Sequence, residues 1–164
     1  MIDKNILFFK VFDDLDRNNL SSNEKISHFE IEEYENKYNF KFPNDYKEFL
    51  LEYNGCNLKD TIKENGKTMH VVNKYCGFDS ISDFPSIKIQ IEIFEEDWFF
   101  FQELIENKFI PIAGSIYDFI NILIYCGEEN KGKIYRCNED GNPRYLCDSF
   151  SDFISGYYFT EFED

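Results

Sequence analysis

Histidine is scarce in this sequence of 164 residues, occurring only at His28 and His70. The side chain most often used as a proton shuttle and neutral metal ligand is therefore nearly absent. A nucleophilic pair such as Cys56 with His70 is allowed by spacing, but no third residue is identifiable to orient it. The five cysteines, at 56, 76, 126, 137 and 147, are odd in number and include no CxxC pair. Neither a disulfide framework nor a zinc site built from Cys126, Cys137 and Cys147 is expected. Free thiols in a reducing cytosol fit this pattern, with the strand cysteines packed as small hydrophobes. GxSxG, P-loop, GxGxxG and HExxH signatures are all missing. No catalytic residue, metal or cofactor is expected.

Long apolar runs are missing too. The start of the chain offers only Ile6 to Phe9 before Lys10, Asp13 and Asp14, far short of a secretory leader. Ile116 to Cys126 is interrupted by Asp118 and Asn121, whereas a membrane helix needs roughly 20 consecutive apolar residues. Basic residues are few: 17 Lys and Arg against 32 Asp and Glu give a net charge of −15. Such a chain repels nucleic acid and anionic membrane surfaces and attracts basic partners. It also stays soluble, which is a sufficient role for most single carboxylates.

What the sequence does have is aromatic residues, 19 Phe and 11 Tyr among them, enough apolar surface for one core. A single domain over 1–164 is expected from the length. The stretch 27–57 reads as two helices. Ser27 and Glu30 have capping-box spacing, and Ile31, Tyr34 and Tyr38 form the apolar side of the helix that follows. Asn39 suits a left-handed stop, Pro43 the first position of the next helix, and Asp45 its positive end. Tyr46, Phe49, Leu50 and Tyr53 form the second apolar face, which Asn54-Gly55 closes.

Before this pair, Asp3 caps a predicted helix with Leu7, Phe8, Val11, Phe12 and Leu15 on one stripe. After it, Asn57 to Gly66 reads as a charged loop, and Thr68 to Val72 with Tyr75 to Phe78 as a hairpin. In 82–107, Ile87, Ile89, Ile91 and Ile93 alternate like a strand, while Phe94, Trp98, Phe101 and Ile105 recur like a helix; a helix over Glu92 to Glu106 is expected. Strands follow at Phe109 to Ala113, Phe119 to Cys126, Lys133 to Cys137 and Arg144 to Cys147, joined by turns into an antiparallel meander. Ser149 and Asp152 cap a last helix in which Phe150, Phe153, Ile154 and Tyr157 face the sheet, and the ending FTEFED is expected to fray. Helices segregated before and after a run of strands define an α+β class.

Ile31, Glu35, Tyr38, Phe40, Phe42-Pro43, Asp45-Tyr46-Lys47, Phe49-Leu50 and Asn54-Gly55 together resemble the signature of the SUKH superfamily (Smi/Knr-like). Downstream, Phe109 to Ala113, Gly132 to Tyr135 and Ser149 to Ile154 are similar to its later strands and closing helix. The likeness runs from Ile31 to Ile154, departing at Asn39, Phe42 and Cys56. It implies a sheet with helices packed around it and a non-enzymatic protein-binding domain. The resemblance implies, as an expectation, an immunity protein that neutralises a bacterial toxin; the acidic composition suits a toxin with a basic surface, a basic nuclease being one such class. The alternative is a regulatory scaffold or adaptor of the eukaryotic cell-wall-signalling type.

Two acidic spots are candidates for a partner surface. Glu95, Glu96 and Asp97 adjoin Trp98, the only Trp, where a ring can anchor and carboxylates can steer a cationic partner; Glu128 and Glu129 add a second spot in a turn. The other reading is a core Trp beside a solvated acidic turn, and both stand at this point. Glu35, beside the apolar stripe of its helix, is read as a backbone-bonding carboxylate rather than a reacting one. Tyr53-Asn54-Gly55 is read as a helix stop. The protein is expected in the cytoplasm.

Overall fold

Residues 3, 8, 25–77, 79, 81–96, 99–115 and 120–161 are described by the computed structural model. The helix pair is present, with ends set by local chemistry. Helix α1 (His28–Lys37) starts at Ser27, whose Oγ accepts from the Glu30 amide at 3.2 Å while Glu30 Oε2 accepts from the Ser27 amide at 2.8 Å. This reciprocal box satisfies two N–H groups that the first turn leaves unpaired. Ile31 and Tyr34 are buried, and Asn39 turns the chain at φ 54°. Helix α2 (Asn44–Tyr53) buries Tyr46, Phe49 and Leu50 and ends at Asn54 in the left-handed region. Pro43 is its N-cap rather than its first residue, because ψ 153° holds the proline outside the helix.

Gly55 follows with φ 94°, and a Cβ there would lie 2.6 Å from the Ser86 amide nitrogen and 2.7 Å from the Phe84 carbonyl oxygen. Only glycine fits so close a backbone approach. The neighbouring Asn54 Oδ1 accepts from the Ile87 amide at 3.1 Å, which pins the start of helix α3 (Ile87–Glu95) to the end of α2.

Six strands form the main sheet in the order β1 (Cys56–Asn57), β4 (Asp83–Phe84), β5 (Phe109–Gly114), β6 (Asn121–Tyr125), β7 (Ile134–Cys137) and β8 (Arg144–Cys147), all antiparallel. The β5 to β8 run is the expected meander. Its inner face carries Ile110, Ile112, Ile122, Ile124 and Ile134, which share one core with α1, α2 and helix α5 (Phe150–Ser155). Phe49 lies 5.1 Å from Phe150 between ring centroids, and Tyr46 5.0 Å. Asp45 joins the two helices covalently remote from each other, its Oδ2 accepting from the Ser151 amide at 2.9 Å and its hydroxyl at 3.0 Å. Of the predicted first-helix stripe only Phe8 is described; it is fully buried against Phe84 and Tyr157, while Leu7, Val11, Phe12 and Leu15 lie outside the described residues.

A second sheet of β2 (Thr61–Glu64), β3 (Lys67–Asn73) and β9 (Tyr157–Glu161) has β3 in the middle. Two expectations are corrected here. The hairpin joins β2 to β3 through Asn65-Gly66, both at positive φ, so 57–66 is not a plain loop; in place of the expected strand from Tyr75, Lys74 to Cys76 is a turn closed by an antiparallel bridge between Asn73 and Gly77, and Phe78 lies outside the described residues. Asn-Gly supplies the two positive φ angles of the tight turn that matches strand twist. Of the ending expected to fray, Phe159 to Glu161 instead pair with β3, and residues 162–164 lie outside the described residues; Tyr157 leaves the last helix to pair with Asn73 of β3.

The reading of 82–107 is corrected as well. Ile87, Ile89, Ile91 and Ile93 belong to a helix, not a strand, and Ser86 caps it by accepting from the Ile89 amide at 3.3 Å. The helix expected over Glu92 to Glu106 is two helices, since the extended backbone of Glu96 (ψ 125°) ends α3 before α4 (Phe99–Glu106) begins.

Candidate functional site

Buried polar groups come first, since a reacting group would be sought among them. Glu35 has no accessible surface. Its Oε1 accepts from the Phe42 amide at 2.8 Å and faces Lys47 Nζ at 2.8 Å, and its Oε2 faces Lys41 Nζ at 3.2 Å. Burial pushes this carboxyl up, but Lys47, the Phe42 amide and Lys41 together outweigh burial and hold it below the usual range. It is an ionised structural clamp between α1 and α2, as its position beside the apolar stripe predicts. Tyr34 donates to Gln90 Oε1 at 3.2 Å, and Gln90 Nε2 donates to the Tyr46 hydroxyl at 2.6 Å. Burial pushes both tyrosine hydroxyls far up, so this chain ties α3 to the helix pair rather than exchanging protons.

The five cysteines are free and buried. Burial pushes the Cys76 and Cys147 thiols up to about 12 and the Cys56 thiol well up, which suppresses the nucleophilic thiolate. Cys56 lies in the main sheet and His70 in the second. Among the described residues no group of three His, Cys, Asp or Glu side chains is arranged to hold a metal ion.

The predicted acidic positions separate into two places. Glu95 is the last residue of α3 and Glu96 its exposed cap, while Asp97 and Trp98 lie outside the described residues. Glu128 and Glu129 are exposed in the β6–β7 turn. The next residue of that turn, Asn130, lines a cleft that sequence reading missed.

That cleft lies over the outer face of the main sheet and has a volume of about 710 Å³. Strand alternation builds it. Phe109, Leu123, Tyr135 and Cys137 point away from the isoleucines of the main core, and Leu104 of α4 packs on them. Phe109 pairs with Tyr125 across β5 and β6, with ring centroids 5.0 Å apart, and Tyr135 stands 5.1 Å from Phe109 and 6.5 Å from Tyr125. Tyr145, opposite Tyr135 on β8, extends the row at 6.0 Å. A Cβ on Gly127 would come within 2.2 Å of the Tyr125 hydroxyl, so the glycine leaves that ring its place.

The rim is acidic. Glu103 and Asp140 are the charged side chains lining the cleft. Hydrogen bonds from the Asn142 amide and from Arg144 hold the Asp140 carboxyl below the usual range, so it is ionised. The Tyr145 hydroxyl donates to Asp148 Oδ1 at 2.7 Å, and this bond pushes its pKa up to about 12. A second groove, about 1020 Å³ between α1 and α3, carries Lys25, Lys37 and Lys88 as well as Glu30, Glu33 and Glu92. Its mixed charge favours no sign of partner. The row of rings was present in the sequence as Phe109 beside Ile110, Tyr125 beside Ile124, Tyr135 beside Ile134 and Tyr145 beside Leu146, but only the register shows that they converge.

An antiparallel sheet with a capped helix pair packed on one face and a short helix closing the meander places this chain in the α+β class. Residues 25–156 match the SMI1 / KNR4 family (SUKH-1), and the chain belongs to that family. Members of the family are generally not enzymes, and membership supports a protein-binding domain at the family level. No curated protein matches the chain. No helix among the described residues is long and apolar enough to cross a membrane.

Proposed function

We propose that this chain acts as one domain over 1–164, an immunity protein that binds and neutralises a bacterial toxin with a basic surface, such as a basic nuclease. The observation that carries this reading is the net charge of −15 on a chain of the SUKH-1 family. A binder of strong net negative charge gains in encounter rate with a cationic protein, by one or more orders of magnitude at low salt, and avoids nucleic acid that would compete. Glu95, Glu96, Asp97 and Trp98, with Glu128 and Glu129, are the proposed partner-facing positions. No catalytic step is required, since covering the toxin's working surface suffices, and the cytoplasm is where such a toxin would have to be met.

Coexpression with neighbouring genes, followed by co-purification, tests this. Recovery of a complex with a basic protein, together with relief of that protein's toxicity, is the expected result. A toxin whose effect on growth is unchanged by the presence of this chain, or stable capture of a non-toxic signalling protein instead, would overturn the immunity reading in favour of a scaffold.

A further inference from the structure

We propose that the aromatic cleft over the outer face of the main sheet is a pocket for an arginine side chain of the partner protein. This deepens the reading of the domain as a binder of a basic protein and rests on it. Three rings, Phe109, Tyr125 and Tyr135, meet within 5.0 to 6.5 Å of one another at the floor. Aromatic faces carry negative potential and attract cations placed over them. A guanidinium is planar and weakly hydrated, so it stacks on such rings while its edge donates hydrogen bonds to carboxylates and amide oxygens.

The rim provides these acceptors. Glu103 reaches the cleft from α4, and its carboxylate has no ion-pair partner among the described residues. Asp140 lines the cleft from the β7–β8 turn, engaged by Arg144, and Asn107, Asn130 and Asn142 line it as well. No lysine or arginine lines this cleft, in contrast to the α1–α3 groove, where three lysines do. Charge complementarity therefore selects a cationic occupant for the one and not for the other. The rings are steeply inclined to one another, at 53° to 86°, so they offer both faces and edges. Arginine is preferred over lysine because a planar guanidinium can stack on a single ring face, whereas an ammonium would lose more hydration on entering.

The test uses N-acetyl-arginine amide and, as its uncharged isostere, N-acetyl-citrulline amide, followed by NMR of the aromatic ring protons of the whole protein. The arginine compound is expected to shift Phe109, Tyr125 and Tyr135 saturably and the citrulline compound to leave them unmoved. Tyr135→Leu should weaken the effect roughly tenfold. Glu103→Gln, at an exposed position, should weaken it about threefold and leaves the fold intact even if Tyr135→Leu does not. Equal shifts from both compounds, shifts that map elsewhere, or an unchanged response in Glu103→Gln would overturn the pocket. The probe contains no toxin, so the two readings fail separately: arginine binding without any toxin partner removes the immunity role only, and a toxin complex whose affinity is unchanged in both variants removes the pocket only.

Discussion

Lys47 Nζ on α2 lies 2.8 Å from Oε1 of Glu35 on α1, a carboxylate with no accessible surface. Folding lowers this pKa from its ordinary value of 4.5, so the clamp's stabilisation is complete above that value and is lost as pH falls through the folded one. Glu35→Gln keeps an acceptor for the Phe42 amide and gives up the charge, whereas Glu35→Leu also leaves that amide unpaired at a further cost of about 1 to 3 kcal/mol. Urea unfolding from pH 7 to pH 3 should show the wild-type advantage over Glu35→Gln shrinking toward acid. A difference that does not change with pH would remove the ionised clamp.

Phe49 sits at the junction of α2, α5 and β4, with Phe150 5.1 Å away and Phe84 6.1 Å away. Its truncation in Phe49→Ala leaves a cavity among rigid rings that cannot easily collapse. We expect a loss of about 3 to 5 kcal/mol. Denaturant titration returning less than about 1 kcal/mol would mean that the surrounding core repacks around the gap.

These two residues also mark what the sequence made legible. Both lie in the helix pair, where capping residues, apolar spacing and stops agree, and Glu35 was identifiable because it neighbours the stripe. The strand-like alternation of Ile87 to Ile93 misled because isoleucine's local preference is for strands, and tertiary context overrode it. In the helix, Ile87, Gln90 and Ile91 turn inward while Ile89 stays 44% exposed. Strand β2 was hidden for a different reason: only Ile62 of its four residues is even partly buried, so it has no apolar period to read. The aromatic cleft was hidden by distance, since Phe109, Tyr125, Tyr135 and Tyr145 meet through strand register alone.

Every cysteine is buried and unpaired, so all five should react with a thiol reagent in denaturant without prior reduction. Under native conditions the reaction should be far slower, because burial disfavours the thiolate. Counting thiols with and without denaturant checks both statements. A count below five in denaturant would contradict a reducing compartment.

With a cognate basic toxin in hand, association should slow steeply as salt rises. Charge reversal at Glu95, Glu96 and Asp97 should slow it about tenfold, and Trp98→Ala should mainly shorten the lifetime of the complex. Stopped-flow and dissociation measurements separate the two. Association that ignores salt would sink electrostatic steering, and an unchanged lifetime in folded Trp98→Ala would take Trp98 out of the interface.

Strand β9 completes the second sheet by pairing with β3, and Asn73 Nδ2 donates to the Phe153 carbonyl across 80 positions of chain. On a ribosome, β2 and β3 emerge as a lone hairpin, and such a hairpin is marginal by itself in water. It must wait through the synthesis of the whole meander before its third strand arrives. Closure over so long a loop slows folding. The meander, whose strands pair with their sequence neighbours, has no such wait, so the order of emergence favours a main sheet assembled first and a second sheet sealed last by β9.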